Sequence, residues 1–195
     1  MTITQTRPPA ASRTVRWVHV PAGTCLYGDA RKPRPVPALL VAQTPLTDAQ
    51  CGVGGTDLPV TGISYDDAVR LAAEAGGRLP TSVEWEWIAA GPSRRLYPWG
   101  DEPWTPGRAL LTGAGQSPRA TQPVGRHPAG ATPQGVLDLA GNVWEWTSST
   151  AMGQGKIIRG GSYASPPLYA HTTFLNAAPV ERRSPGISVR PVRTP

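Results

Sequence analysis

The chain has 195 residues, enough for one sizeable domain, and its 23 prolines and 22 glycines argue for many turns and little regular structure. The net charge of +6 comes from two basic ends around an acidic middle; without a helix-turn-helix pattern or interleaved aromatic and basic residues, no nucleic-acid partner is expected. No apolar run reaches the roughly 20 residues of a bilayer span, and Met1 to Arg16 lacks the apolar middle of a secretory signal, so no membrane partner is expected and the cytoplasm is the expected location.

Residues 1–13 are polar, rich in Pro and Ala and without periodicity, and are expected to form a flexible tail, with one folded domain over 14–195. Val15, Trp17, Val18 and Val20 predict a strand ending at Pro21-Ala22-Gly23. Ala38 to Ala42 predicts another, after the proline-rich stretch 32–37. Thr47 and Gln50 have capping-box spacing and predict a short helix, cut off by Gly52, Gly54 and Gly55. A better marked helix follows Ser64, with Ala68, Leu71, Ala72 and Ala75 on one face and Gly76-Gly77 as its stop. Thr81 and Glu84 cap a second helix that ends at Gly91-Pro92. Beyond Gly91 turn formers recur, predicting mostly loops with short strands near 156–159 and 187–190. The indoles of Trp85, Trp87, Trp99, Trp104, Trp144 and Trp146 are expected to nucleate the core. Cys25 and Cys51 lie in no CxxC context; a redox or metal pair is the sharper reading, two small buried hydrophobes the plainer and preferred one.

Four ordered motifs stand out: GGRLPTSVEWEWIAAG over 76–91, YPWGDEPW over 97–104, GVLDLAGNVWEW over 135–146 and IIRGGSY over 157–163. Together they resemble the formylglycine-generating enzyme family, also called the sulfatase-modifying factor family. The resemblance implies an α+β, C-type-lectin-like fold with two helices, small twisted sheets and long ordered loops. It leaves function open, because such a scaffold carries several chemistries. In formylglycine-generating enzymes two C-terminal cysteines bind copper, and a gapless reading from Gly160-Gly161-Ser162-Tyr163 puts Ala170 and Leu175 at their positions. Neither side chain ligates a soft metal, so formylglycine generation is not expected.

The same segment is more similar to the sulfoxide synthases of ergothioneine and ovothiol biosynthesis, through Ala164-Ser165, Pro167, Thr173, Phe174, Asn176, Arg182-Arg183 and Gly186. In that branch a Trp-Asp pair and an arginine farther on line the active site, and three histidines from an N-terminal helical domain hold iron. Here Ala177 and Ala178 stand at the pair, Arg182 keeps the arginine, and the helical iron domain is not among the 195 residues.

The candidate site follows from these residues. His171 lies in the segment expected to line a cleft, with Tyr163 and Tyr169 as further catalytic candidates, whereas His19 sits on a presumed strand and His127 in a Pro/Gly loop. Asn176, Arg182 and Arg183 are the candidates for binding a small polar or anionic ligand; the alternative for the arginines is internal salt bridging. The resemblance implies structural calcium held by the side chains of Asp138 and Glu145 and the carbonyls of Gly141 and Val143, a donor set that suits a hard cation. A second family calcium site is expected to be lost at Leu110. Glu84 and Glu86 lie two apart on a helix, so they point to different faces and do not form an acid/base pair.

The expected function is a domain that binds a small polar ligand, or completes the active site of a helical iron-binding partner, with iron present only through that partner. Two other readings are an autonomous metal-dependent oxidative enzyme around His171 and a non-catalytic structural or ligand-display relative.

Overall fold

The computed structural model describes residues 14–153 and 155–195; the expected tail at 1–13 lies outside them. Strand β1 (Trp17–Val20) pairs antiparallel with β4 (Leu39–Ala42), and β4 pairs with β9 (Val192–Arg193), so the first and last strands among the described residues share one small sheet. Between β1 and β4 the chain makes a hairpin of β2 (Gly23–Tyr27) and β3 (Lys32–Val36). The sequence reading missed this hairpin because β3 carries Pro33 and Pro35. Alternate residues of a two-stranded ribbon donate across the pair, so prolines two apart put both missing donors on the open side.

Helix α1 (Tyr65–Glu74) and helix α2 (Ser82–Ala90) begin where the capping residues place them. Ser64 and Thr81 each accept from the backbone of the third helical residue, and Asp67 and Glu84 return the bond. Thr47 and Gln50 make the same reciprocal bonds, at 3.2 and 3.0 Å, but the chain forms a turn there rather than the predicted helix. Cys51 N donates to Thr47 O, and Gly52 then adopts φ +68°, so one turn closes and none follows.

α1 buries only Ala68, Leu71 and Ala72, whereas nearly every residue of α2 is buried. α2 runs through the middle of the protein, with Trp85, Trp87 and Ile88 packed against Val20, Val41 and Leu139. A third sheet, in the order β7-β6-β5-β8, comprises β5 (Trp144–Thr150), β6 (Lys156–Arg159), β7 (Leu175–Ala178) and β8 (Ile187–Ser188). Trp144 and Trp146 project from β5 into a core shared with α1. The second half therefore holds more strand than predicted: β5 lies inside a tryptophan-rich motif and is bounded by the turn at Gly141-Asn142. Trp99 and Trp104 are only partly buried, around a smaller cluster with Tyr97 and Leu111. Cys25 is buried, Cys51 half-buried, and both are free thiols pushed up to about 11, mainly by burial, as suits packing residues.

The α2 cap carries a testable pH dependence. Burial alone would raise the Glu84 carboxyl, but bonds from Arg78 Nη1 and Nη2 (2.9 and 2.7 Å) and from Thr81 N (2.7 Å) outweigh it and hold the group below its ordinary value. A carboxyl that binds its proton less tightly when folded stabilises the fold above its unfolded pKa, about 4.3, and that stability is lost as pH falls through the lower folded value. Glu84→Ala is expected to cost about 1–2 kcal/mol at pH 7 and much less at pH 3, measured by urea denaturation at both.

Candidate functional site

The cleft is built by the segment that follows β6. Gly160 and Gly161 adopt φ +97° and +76°, and a Cβ on Gly160 would stand 2.6 Å from Leu139 O, so the chain turns there as only glycine allows. It then passes Ser162 and Tyr163, makes a 3-10 turn over Pro167–Ala170, returns as β7 and loops through 179–186 into β8. Between β7 and that loop opens a cavity of about 270 Å³, with Trp144, Ile158 and Ile187 at its apolar side and Ser162, Asn176 and Arg182 at its polar side. Ala177 and Ala178 line it too.

Two of the three predicted ligand-binding residues meet at this cavity, and the third does not. Arg182 is exposed, and among the described residues its guanidinium has no hydrogen-bond or ion-pair partner. Asn176 Oδ1 accepts from Ala177 N at 2.8 Å, which leaves its amide N–H groups for a ligand. Arg183 is tied elsewhere, to Asp67 Oδ2 at 2.7 Å and Gly62 O at 3.1 Å. The turn closed by Arg182 N and Pro179 O sends the two adjacent side chains apart.

The predicted catalytic residues also separate. His171 does not line the cavity; its Nε2 lies 3.1 Å from Tyr97 Oη, with the two rings edge to face, and Tyr97 stacks on Trp99. Burial lowers the His171 pKa below the ordinary imidazole value, which favours the neutral ring. No group of three His, Cys, Asp or Glu residues that could hold a metal gathers among the described residues. Tyr169 stacks on Phe174, with ring centroids 4.6 Å apart, and both pack near Trp144, behind the cavity wall. Tyr163 is half-buried, and its backbone joins Asn142 O and Thr112 Oγ1.

The motif from Asp138 to Glu145 turns through positive φ at Asp138, Gly141 and Asn142. Free lone pairs decide whether calcium fits it. Glu145 has none to spare, because Trp85 Nε1 (2.7 Å), Arg190 Nη2 (2.7 Å) and Arg190 Nε (3.0 and 3.1 Å) take its two oxygens. Asp138 does: its Oδ2 accepts from Gly125 N at 2.6 Å, and no other donor among the described residues reaches the carboxylate. That poor bonding leaves burial to raise the Asp138 carboxyl above its usual range. The arrangement therefore offers one carboxylate, not two. Asn142, which the sequence reading passed over, clamps the loop through two 3.0 Å bonds to the Gln122 backbone.

Arg190 and Glu145 belong to a buried polar chain. Across the Trp85 indole a second pair, Arg159 and Glu86, is equally buried at 2.7 Å, and Glu86 Oε1 accepts from Gly28 N. Glu86 is thus a packing partner of Arg159, not an acid/base group.

The sulfatase-modifying factor enzyme 1-like domain matches this chain over residues 40–195. The chain belongs to that family. Among curated relatives, hercynine oxygenase of Mycobacterium tuberculosis is 40% identical over 143 residues, covering 62% of this chain and 33% of its own length. Formylglycine-generating enzyme of the same organism is 44% identical over 102 residues, covering 47% and 33%. This sulfatase-modifying factor domain thus spans about one third of the length of the curated relatives it matches. Its fold superposes on the crystal structure of CarF with a TM-score of 0.76 at 20% identity, covering 94% of this chain and all of that one, and on PvdO from Pseudomonas aeruginosa at 0.75 and 20%, covering 98% and all of it. Those likenesses establish the α+β fold of the family. Among the described residues no helix is long and apolar enough to cross a membrane.

Proposed function

We propose that this domain, related to hercynine oxygenase, holds a small anionic ligand in the cleft between Asn176 and Arg182 and presents it to iron carried by a helical partner. The observation that carries the reading is the contrast between neighbouring arginines. Arg183 is spent on Asp67 and Gly62, whereas Arg182 faces the cavity without a counter-charge among the described residues. A guanidinium in that setting suits a carboxylate, which it can grip through two parallel bonds, and the Asn176 amide adds a neutral donor beside it. Ala177 and Ala178 leave the cavity wide and unreactive, so this chain binds and orients while the redox centre lies outside it.

Hercynine, a betaine carboxylate, is the natural first probe, with acetate as the minimal anion. Arg182→Ala is expected to weaken binding tenfold to a hundredfold, the loss of one charge-assisted contact of about 1.5–3 kcal/mol. Arg183→Ala is expected to lower the melting temperature and leave affinity unchanged. Calorimetric titration and thermal melts separate the two; equal affinity of wild type and Arg182→Ala overturns the binding reading. Purification from the native host with iron analysis tests the partner: the expected product is a complex with iron, and a solitary, iron-free chain overturns that half.

We also propose calcium at Asp138 with the carbonyls of Gly141 and Val143, Glu145 being committed to Arg190. Affinity rises with the number of charged ligands, so this one-carboxylate site is weak, in the range of about 10⁻⁴–10⁻³ M. Chelator is expected to leave the melting temperature unchanged, while millimolar calcium raises it and Asp138→Asn abolishes the rise. A melting curve indifferent to calcium removes the site.

A further inference from the structure

Outside the cleft, Tyr97 and His171 form a pair that the backbone holds together. Thr172 N donates to Leu96 O at 2.9 Å and Thr172 Oγ1 to Arg95 O at 2.5 Å, so the neighbours of the two residues are tied to each other. Tyr97 is 5% exposed and packs with Ala109, Leu111 and Ala170. Its Oη lies 3.1 Å from His171 Nε2 and has no other partner among the described residues, so the phenol donates and Nε2 accepts. The imidazole hydrogen then sits on Nδ1, which meets no protein group and is not enclosed, leaving it open to water on the half-buried ring. Burial raises the Tyr97 pKa and lowers that of His171, so a neutral phenol faces a neutral base. Of the five tyrosines, Tyr97 alone has a nitrogen base at its hydroxyl among the described residues; Tyr27 Oη bonds to the Ser82 hydroxyl instead, at 3.0 Å.

Trp99 joins this pair to the surface. Its half-buried ring stacks on Tyr97, with centroids 4.6 Å apart and planes 6° from parallel, and its Nε1 donates to Glu102 O at 3.0 Å. A carbonyl does not take up a proton, so an oxidised Trp99 indole keeps its positive charge. An oxidised Tyr97 phenol passes its proton along the bond it already makes. We infer that Tyr97, with His171 as proton acceptor and Trp99 as outer relay, is a one-electron redox site that takes up oxidising equivalents from a high-potential metal oxidant at the surface. Trp99 gives one electron to the metal, Tyr97 returns one to Trp99, and the phenol proton moves from Oη to His171 Nε2. The products are a neutral phenoxyl, an imidazolium and a metal reduced by one electron. The site is a sink rather than a reaction centre, since no substrate bond is made or broken there. It shares no residue with the Asn176–Arg182 cavity and stands whether or not that cavity holds a ligand.

The test oxidises the full chain with trivalent ruthenium tris-bipyridine, generated by a laser flash, and follows the phenoxyl by transient absorption and electron paramagnetic resonance. Wild type is expected to give a neutral phenoxyl, formed more slowly in heavy water than in ordinary water. Tyr97→Phe removes one hydroxyl and should lose most of that signal. His171→Gln separates a redox role from a structural one: the glutamine carbonyl can still accept the phenol's bond but cannot take its proton. The rate of phenoxyl formation should therefore fall about a hundredfold, the worth of a positioned proton acceptor. Trp99→Phe keeps a ring in the stack and should also slow the reaction. Thermal melts of the variants distinguish lost oxidation from lost folding. The inference is overturned by a wild type that yields no phenoxyl, by an equal yield from Tyr97→Phe, or by His171→Gln reacting at the wild-type rate. Should a variant fail to fold, the wild type still decides, since equal rates in the two waters overturn the proton transfer to His171.

Discussion

Arg190→Met is expected to destabilise the protein by about 3–5 kcal/mol, the cost of leaving one member of a buried ion pair alone. Arg190 is fully buried, and its guanidinium serves four groups: the Glu145 carboxylate and the carbonyls of Ala42, Gln43 and Leu137, at 2.7–3.1 Å. Methionine fills much of the volume and satisfies none of them. At roughly 2–4 °C per kcal/mol for a chain of this length, the melting midpoint should fall by about 6–20 °C. The double variant Glu145→Gln, Arg190→Met should recover part of the loss, since removing both charges avoids the orphan carboxylate. Arg159→Met should cost less, because Arg159 Nε is already buried without a partner. Urea denaturation of the three variants checks the order, and an Arg190→Met loss below about 1 kcal/mol would show that the pair is not formed.

Gly141→Ala carries the second large effect. The residue has φ +75°, where an L side chain costs roughly 1–2 kcal/mol, and a built Cβ would stand 2.4 Å from Leu110 O. Leu110 O accepts from Asn142 N at 2.9 Å, and Gly141 N donates to Gly160 O at 2.9 Å, so neither backbone can yield without breaking a bond. The total is expected to exceed about 3 kcal/mol, with loss of soluble protein as a second readout. Gly135 is the control: φ +88° with nothing within 4 Å of a built Cβ, so Gly135→Ala should cost only the roughly 1–2 kcal/mol of conformation. Similar melting temperatures for the two variants would contradict the close approach at Leu110.

What the sequence disclosed divides along physical lines. Both helices were legible because capping is local: Ser64 with Asp67 and Thr81 with Glu84 specify a start three residues at a time. The same signal at Thr47 formed its bonds and still made no helix, since one closed turn does not propagate into a run of glycines. β3 was hidden by its prolines, and β5 alternates apolar with polar only from Trp144 to Thr147 before three polar residues, too short a run to mark a strand. The buried pairs were hidden by distance, since Glu145 meets Arg190 across 45 residues and Glu86 meets Arg159 across 73. At the candidate site the resemblance brought Asn176 and Arg182 to one cavity. It did not foresee that the 3-10 turn carries His171 off to Tyr97, because a register of aligned letters says nothing of which way a turn aims its side chains.

The bond from Ala177 N to Asn176 Oδ1 has a meaning beyond the cleft. β7 is one of the two edge strands of its sheet, and Leu175, Asn176 and Ala177 are all exposed. An open strand of this kind recruits other strands through its unpaired donors, which is how soluble domains begin to aggregate. Asn176 occupies one such donor with its own side chain, so the residue proposed to meet a small ligand also withholds the sheet from a neighbouring chain.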